Sequence, residues 1–142
     1  MSFAHDRWSY RLAAFLTPRH VVTLEIPGWR TGHTLSCPLV LVDYDGGRYL
    51  VSMLGRDANW VRNVRATGGL AVLRHRESEP VRLTEVAPVL RAPILRRYLE
   101  LAPGARPHLP VDRHAPLAEF ARIADRFPVF RVTSVRVAVP AH

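Results

Sequence analysis

Two short stretches of the chain carry residue types able to hold an anion: Pro27-Gly28-Trp29-Arg30-Thr31-Gly32, and Gly55-Arg56-Asp57-Ala58-Asn59-Trp60-Val61-Arg62-Asn63. In the first, Gly28 and Gly32 free the backbone to turn, so that main-chain N–H groups, the Arg30 guanidinium and the Thr31 hydroxyl could converge on a phosphate or carboxylate. A solvated turn with one exposed arginine is the alternative, since short Gly-Arg-Thr-Gly strings carry little specificity. In the second, the chain leaves a strand at Gly55 and enters a helix whose free N–H groups attract negative charge, with Asp57 the expected N-cap. Trp60 and Asn63, three residues apart, share one helix face, and Trp60 read alone is a core anchor.

Other chemistries find less support. All 20 basic residues are arginine and the formal net charge is +8, so the expected partner is an anion that suits planar, bidentate contact. The seven histidines, at 5, 20, 33, 75, 108, 114 and 142, form no His-x-x-x-His pair on one helix, and no metal site is expected. Cys37, the single cysteine, excludes an internal disulfide framework and reads as a small buried hydrophobe. No serine lies in a nucleophile elbow. Ser52 and Tyr98 are the candidate proton donors, although Tyr98 sits on an apolar helix stripe.

The elements that position these residues follow from periodicity. Val21–Ile26 alternates and is closed by Pro27-Gly28, and Thr34–Tyr44 and Arg48–Leu54 are two more strands joined by Asp45-Gly46-Gly47, residues suited to a tight hairpin turn. A helix over Ala58–Ala66 ends at Gly68-Gly69. Two strands over Leu70–Arg76 and Pro80–Val86 read as a hairpin turning at Glu77-Ser78-Glu79. Helices follow over Pro93–Leu101 and Pro116–Phe127, separated by a Pro-rich surface loop, and a last strand starts at Pro128. Trp8, Leu12 and Phe15 or Leu16 mark a helix before Pro18. With 142 residues, 48% of them hydrophobic, the chain reads as a single domain over 1–142. A helix occupies 1–18, and 19–139 form an α+β fold, a six-stranded antiparallel split β-barrel with inserted helices. Successive antiparallel strands place both Arg-bearing loops at one end of the sheet. No apolar run reaches about 18 residues and the charged N-terminus lacks a signal-peptide core, so a cytoplasmic location is expected.

The order Gly-x-Arg-Thr-Gly, Pro38-Leu39, a hairpin turn, Leu50-Val51-Ser52-Met53-Leu54-Gly55, then Trp60-x-x-Asn63-x-x-Ala66 and the closing Pro128-Val129-Phe130-Arg131-Val132 resembles the deazaflavin (coenzyme F420)-dependent nitroreductase and quinone reductase family. These are FMN-binding-like split-barrel oxidoreductases, and the resemblance spans roughly Val21 to Val132. It implies a cofactor groove with Arg30, Thr31 and Gly32 at the phosphate, and Ser36, Cys37, Pro38 and Leu39 bordering the ring. Met53, Leu54, Gly55 and Arg56 follow the next strand, and Trp60 and Asn63 lie on the helix that closes the site. Trp29 departs from the family by standing where the first of a basic pair is usual, an Arg shortly after the loop is replaced by Leu35 or Ser36, and the second loop is shorter. Arg56, Arg62 and Arg65 are the candidates to compensate.

The implied activity is hydride transfer from reduced F420 to a small electron-poor acceptor such as a quinone, nitroarene or enone, with the protein supplying orientation and exclusion of water. FMN is the alternative cofactor, and a non-catalytic barrel binding a flavin or apolar ligand is the alternative role. A nucleic-acid-binding module is the remote rival. The arginines are scattered and no nucleic-acid fingerprint appears, so no nucleic-acid partner is expected. Peripheral membrane contact would accompany a quinone acceptor. Oligomeric state stays open, with a homodimer the natural candidate for a split barrel of this size.

Overall fold

Along Val21–Pro27 burial alternates with residue type, Val22, Leu24 and Ile26 being buried between half-buried neighbours, and the segment is strand β1. The structure, a computed structural model, describes residues 20–28 and 33–135. The helix expected within 1–18 and the expected end of the barrel at 139 lie outside the described residues. Five further strands follow: β2 (Thr34–Tyr44), β3 (Gly47–Val51), β4 (Leu70–His75), β5 (Glu77–Glu85) and β6 (Val129–Ser134). They close into an antiparallel barrel in the order β1-β2-β3-β6-β5-β4, with β4 returning to β1. The α+β split-barrel expectation therefore holds.

Asp45 and Gly46 join β2 to β3 at φ values of 48° and 78°, the left-handed pair a two-residue hairpin turn requires. The β4–β5 hairpin differs from expectation. It turns at Arg76 alone, at φ 71°, while Glu77-Ser78-Glu79 belong to β5. The reason is lateral: Glu79 accepts hydrogen bonds from Arg48 and Ser134, which hold it in the sheet.

Among the described residues three α-helices decorate the barrel: α1 (Asn59–Ala66), α2 (Ala92–Leu101) and α3 (Leu117–Ile123). Ala58 is the N-cap of α1 and offers no side-chain bond, so the expected Asp57 cap does not form. Asp57 instead faces Arg62 at 3.7 Å. The Pro-rich stretch after α2 is not wholly a surface loop, since Pro103–His108 forms a 3-10 turn and Ala105 and Leu109 are buried.

Two apolar clusters result. The barrel interior gathers Val22, Leu24, Ile26, Leu50, Phe130 and the α1 residues Trp60, Val61 and Val64. The second lies outside the barrel wall, where Val42, Val51 and Val129 meet Ile94, Leu95 and Tyr98 of α2 and Phe120 of α3. β2 feeds both, Leu35, Cys37, Leu39 and Leu41 facing the interior and Val40 and Val42 the helices. At the end of α1, Gly69 packs so closely on β5 that a Cβ there would lie 2.2 Å from the Leu83 carbonyl oxygen. No helix among the described residues is long and apolar enough to cross a membrane.

Candidate functional site

The site begins with the change of partners along β2. Leu41 N–H donates to the His20 carbonyl at 2.7 Å and Gly28 N–H to the His33 carbonyl at 2.6 Å, in the register that pairs Val21 with Val40. Bonded and non-bonded positions alternate in an antiparallel ladder, so Leu35, Cys37 and Leu39 turn their main-chain groups to β1 while Ser36, Pro38 and Val40 turn theirs to the opposite edge. β3 pairs with β2 only from Leu41 to Tyr44. Thr34–Val40 therefore has no partner strand on that edge among the described residues. Pro38 suits the position because it has no N–H to leave unpaired.

β3 stays paired with β6 for one more residue and then stops at a turn. Ser52 N–H donates to the Pro128 carbonyl at 3.0 Å, and the buried Ser52 hydroxyl donates to the Gly55 carbonyl at 2.7 Å, closing a turn. Gly55 sits at φ 89°, left-handed backbone that favours glycine. The turn opens a cavity of about 420 Å³, lined by Met53, Leu54, Gly55, Arg56 and Asp57. Its far wall is His108, from the 3-10 turn after α2, with Arg126 and Phe127 from the segment entering β6. Leu54, 63% exposed, forms an apolar lip.

That far wall is braced by Arg91, whose side chain is only 4% exposed. Its guanidinium donates to the carbonyls of Val86 (2.8 Å), Ala124 (3.0 Å) and Phe127 (3.3 Å), and pairs with Glu85 at 3.1 Å. Burial lowers the Arg91 pKa, with Glu85 opposing the shift. Arg65 at the end of α1 also grips Glu85, at 2.9 Å, so one carboxylate links the α1 cap to the wall of the cavity.

The structure separates the residues singled out from sequence. Met53, Leu54, Gly55 and Arg56 come together in the cavity. Ser36 and Pro38 lie on the open edge of β2, whereas Cys37 and Leu39 pack against the barrel interior. Trp60 stacks at 5.5 Å and a 59° tilt on Phe130, and Trp60 and Asn63 are both buried. Arg30, Thr31 and Gly32 lie outside the described residues, but Pro27 and Thr34, which flank them, are paired at the barrel end toward which β3 runs. Tyr98 is buried in the outer cluster, where burial first and Cys37 second push its hydroxyl well above the ordinary phenol range. Sequence reasoning missed His108, Arg126 and Phe127 as site residues. The available signal was the Phe127-Pro128-Val129 strand entry, which marks where the chain returns beside β3.

No protein-family profile matches the chain, and no curated protein does. Among solved structures it is similar to an F420-H2 dependent reductase, FDR-A, at 25% identity over 81% of this chain and 95% of the other, with a TM-score of 0.51. A structure described as a domain-swapped dimer is 22% identical over 93% of this chain and 98% of its own, with a TM-score of 0.56. A FAD-binding protein from Mesorhizobium loti is 13% identical over 91% and 89% of the two chains, with a TM-score of 0.51. The last two likenesses speak for the fold alone.

Proposed function

We propose that this chain is an oxidoreductase that binds reduced deazaflavin F420 and delivers hydride to a small electron-poor acceptor, a quinone, nitroarene or enone. The observation that carries this reading is the unpartnered edge of β2, at the barrel end where the rim cavity opens, in a chain similar to an F420-H2 dependent reductase. The residues fit the cofactor. The main-chain groups of Ser36 and Val40 with the Pro38 carbonyl offer alternating donors and acceptors, which match the polar edge of a planar heterocycle. A cavity of about 420 Å³ is within the usual size of a small-molecule site.

When bound in reduced form, F420 supplies the hydride; the protein's part is binding, orientation and exclusion of water. The β2 edge would hold the ring, Met53 and Leu54 would provide apolar cover, and Arg30 and Thr31 would bind the phosphate. The Ser52 hydroxyl sets the shape of the turn through Gly55. Tyr98 is too deeply buried, and too weak an acid there, to serve as proton donor.

Fluorescence titration with oxidised F420, with FMN in parallel, tests the reading. Saturable micromolar F420 binding, followed by acceptor-dependent reoxidation of the reduced cofactor with menadione or a nitroarene, is expected. A Kd above about 1 mM, equivalent to about 4 kcal/mol of binding, overturns it. Tighter binding of FMN would assign the flavin instead.

A further inference from the structure

Most arginines of the described chain are already engaged. Arg48 pairs with Glu79, Arg74 with Glu25, Arg65 and Arg91 with Glu85, Arg97 with Asp43 and Glu100, and Arg122 with Glu119. Arg82 and Arg106 donate to main-chain carbonyls. Arg56 and Arg126 make no ion pair or side-chain hydrogen bond among the described residues, yet both line the rim cavity together with His108. The segments of the two arginines are in contact: a Cβ at Gly55 would lie 3.4 Å from the Arg126 carbonyl oxygen.

Two arginines lining one concavity raise its positive potential, which favours a negatively charged ligand. The acid in the lining, Asp57, is 93% exposed at its side chain and pairs with Arg62 on α1. The remaining lining residues are Met53, Leu54, Gly55 and Phe127. Leu54 is exposed and Met53 half-buried, whereas Phe127 is buried in the outer cluster on which Met53 packs, with the Arg126 guanidinium 5.7 Å from its ring centre.

We infer that the rim cavity is a binding site for an oxyanion carried on an apolar body, the oxyanion held by Arg56, Arg126 and the His108 ring N–H, and the body by Met53 and Leu54. Its part in turnover rests on the reductase reading; the binding does not. The oxyanion is either a carboxylate on the acceptor or the phosphate and carboxylates of the deazaflavin side chain. In the second case the cations that Trp29 fails to supply in the first loop come from the second loop and from the entry to β6, rather than from Arg62 or Arg65, which are paired.

The test uses 8-anilinonaphthalene-1-sulfonate, a sulfonate on an apolar body, as a fluorescent probe of the full chain. The wild type is expected to bind it with an affinity that falls as salt rises. The double variant Arg56→Gln/Arg126→Gln, whose two changes are on exposed side chains, should bind about tenfold more weakly or worse, since hydrogen bonds to charged groups contribute at least that factor. Arg76→Gln, which alters an exposed arginine remote from the cavity, should bind as wild type with an unchanged unfolding midpoint. Comparing F420 with its phosphate-free, tail-free analogue, and 4-nitrobenzoate with nitrobenzene, identifies the source: the double variant loses preference for whichever charged member occupies the site. Equal probe binding by wild type and double variant, or equal loss in Arg76→Gln, overturns the inference. Arginine-dependent probe binding without F420 binding leaves the site standing and removes the reductase reading.

Discussion

At the barrel end where β2 turns into β3, Arg48 gives both terminal nitrogens to Glu79 at 2.9 and 3.0 Å, and Ser134 adds a further bond to the same carboxylate. Asp43 beside it is held by Arg97. A cavity of about 200 Å³ opens there, bordered by His20, His75, Arg48 and Asp43. At the opposite rim the larger cavity is bordered by arginines with no such partners. Both ends carry arginine beside a depression; Arg48, which lines the smaller one, is paired, whereas Arg56 and Arg126, which line the rim cavity, have no ion pair among the described residues. A net charge of +8 thus says that an anion is welcome somewhere, while the accounting of partners says where. The rim is held together by other means, apolar packing under α1 and the buried Arg91, which leaves its surface charge available.

The largest effect should come from removing that apolar support. Trp60→Ala is expected to cost about 3–5 kcal/mol in urea unfolding, the range for emptying a buried aromatic site. A loss below about 1 kcal/mol would mean that the ring stands off the core and serves a ligand instead. Arg91→Leu should cost about 3 kcal/mol because three carbonyls lose a donor and Glu85 loses its buried partner, keeping only Arg65. Since Arg91 braces the Phe127 segment, the variant should also weaken probe binding at the rim, and unaltered binding would show that the wall holds its shape without it.

At the closed end, Arg48→Gln should cost under about 1 kcal/mol, because both partners are 36% exposed and solvent screens the pair. It should leave oxyanion affinity unchanged, the mirror image of the rim variants. The smallest effect is a pH dependence. Hydrogen bonds from Arg48 and then Ser134 hold the Glu79 carboxyl down to about 2 from the ordinary 4.5. A lowered carboxyl pKa contributes stability that is fully present above about 4.5 and lost as pH falls toward about 2. The stability difference between wild type and Glu79→Gln should therefore shrink over that window, and a constant difference would show that the carboxylate charge contributes nothing.

Much of this architecture was legible in residue spacing. The alternation of β1, the Asp45-Gly46 turn and the helices around Trp60 and Tyr98 each rest on local chemistry, and each formed where that chemistry placed it. Glu77-Ser78-Glu79 did not form the expected turn because the partners of Glu79 come from β3 and β6, which no local pattern reveals. The approach of Arg126 to Gly55 depends likewise on a distant pairing, the closure of β6 against β3. The separation of Cys37 and Leu39 from Ser36 and Pro38, by contrast, follows from the two-residue period of a strand and could have been read directly.

The half-paired β2 should keep two kinds of time under deuterium exchange. Amides at Leu35, Cys37 and Leu39 are bonded to β1 and should open only with the barrel, whereas those of Ser36 and Val40 should trade protons for deuterons far sooner. Pro38 contributes no signal. A ligand that occupies that edge would slow the fast pair toward the slow set, making alternate amides of one strand a built-in gauge of occupancy.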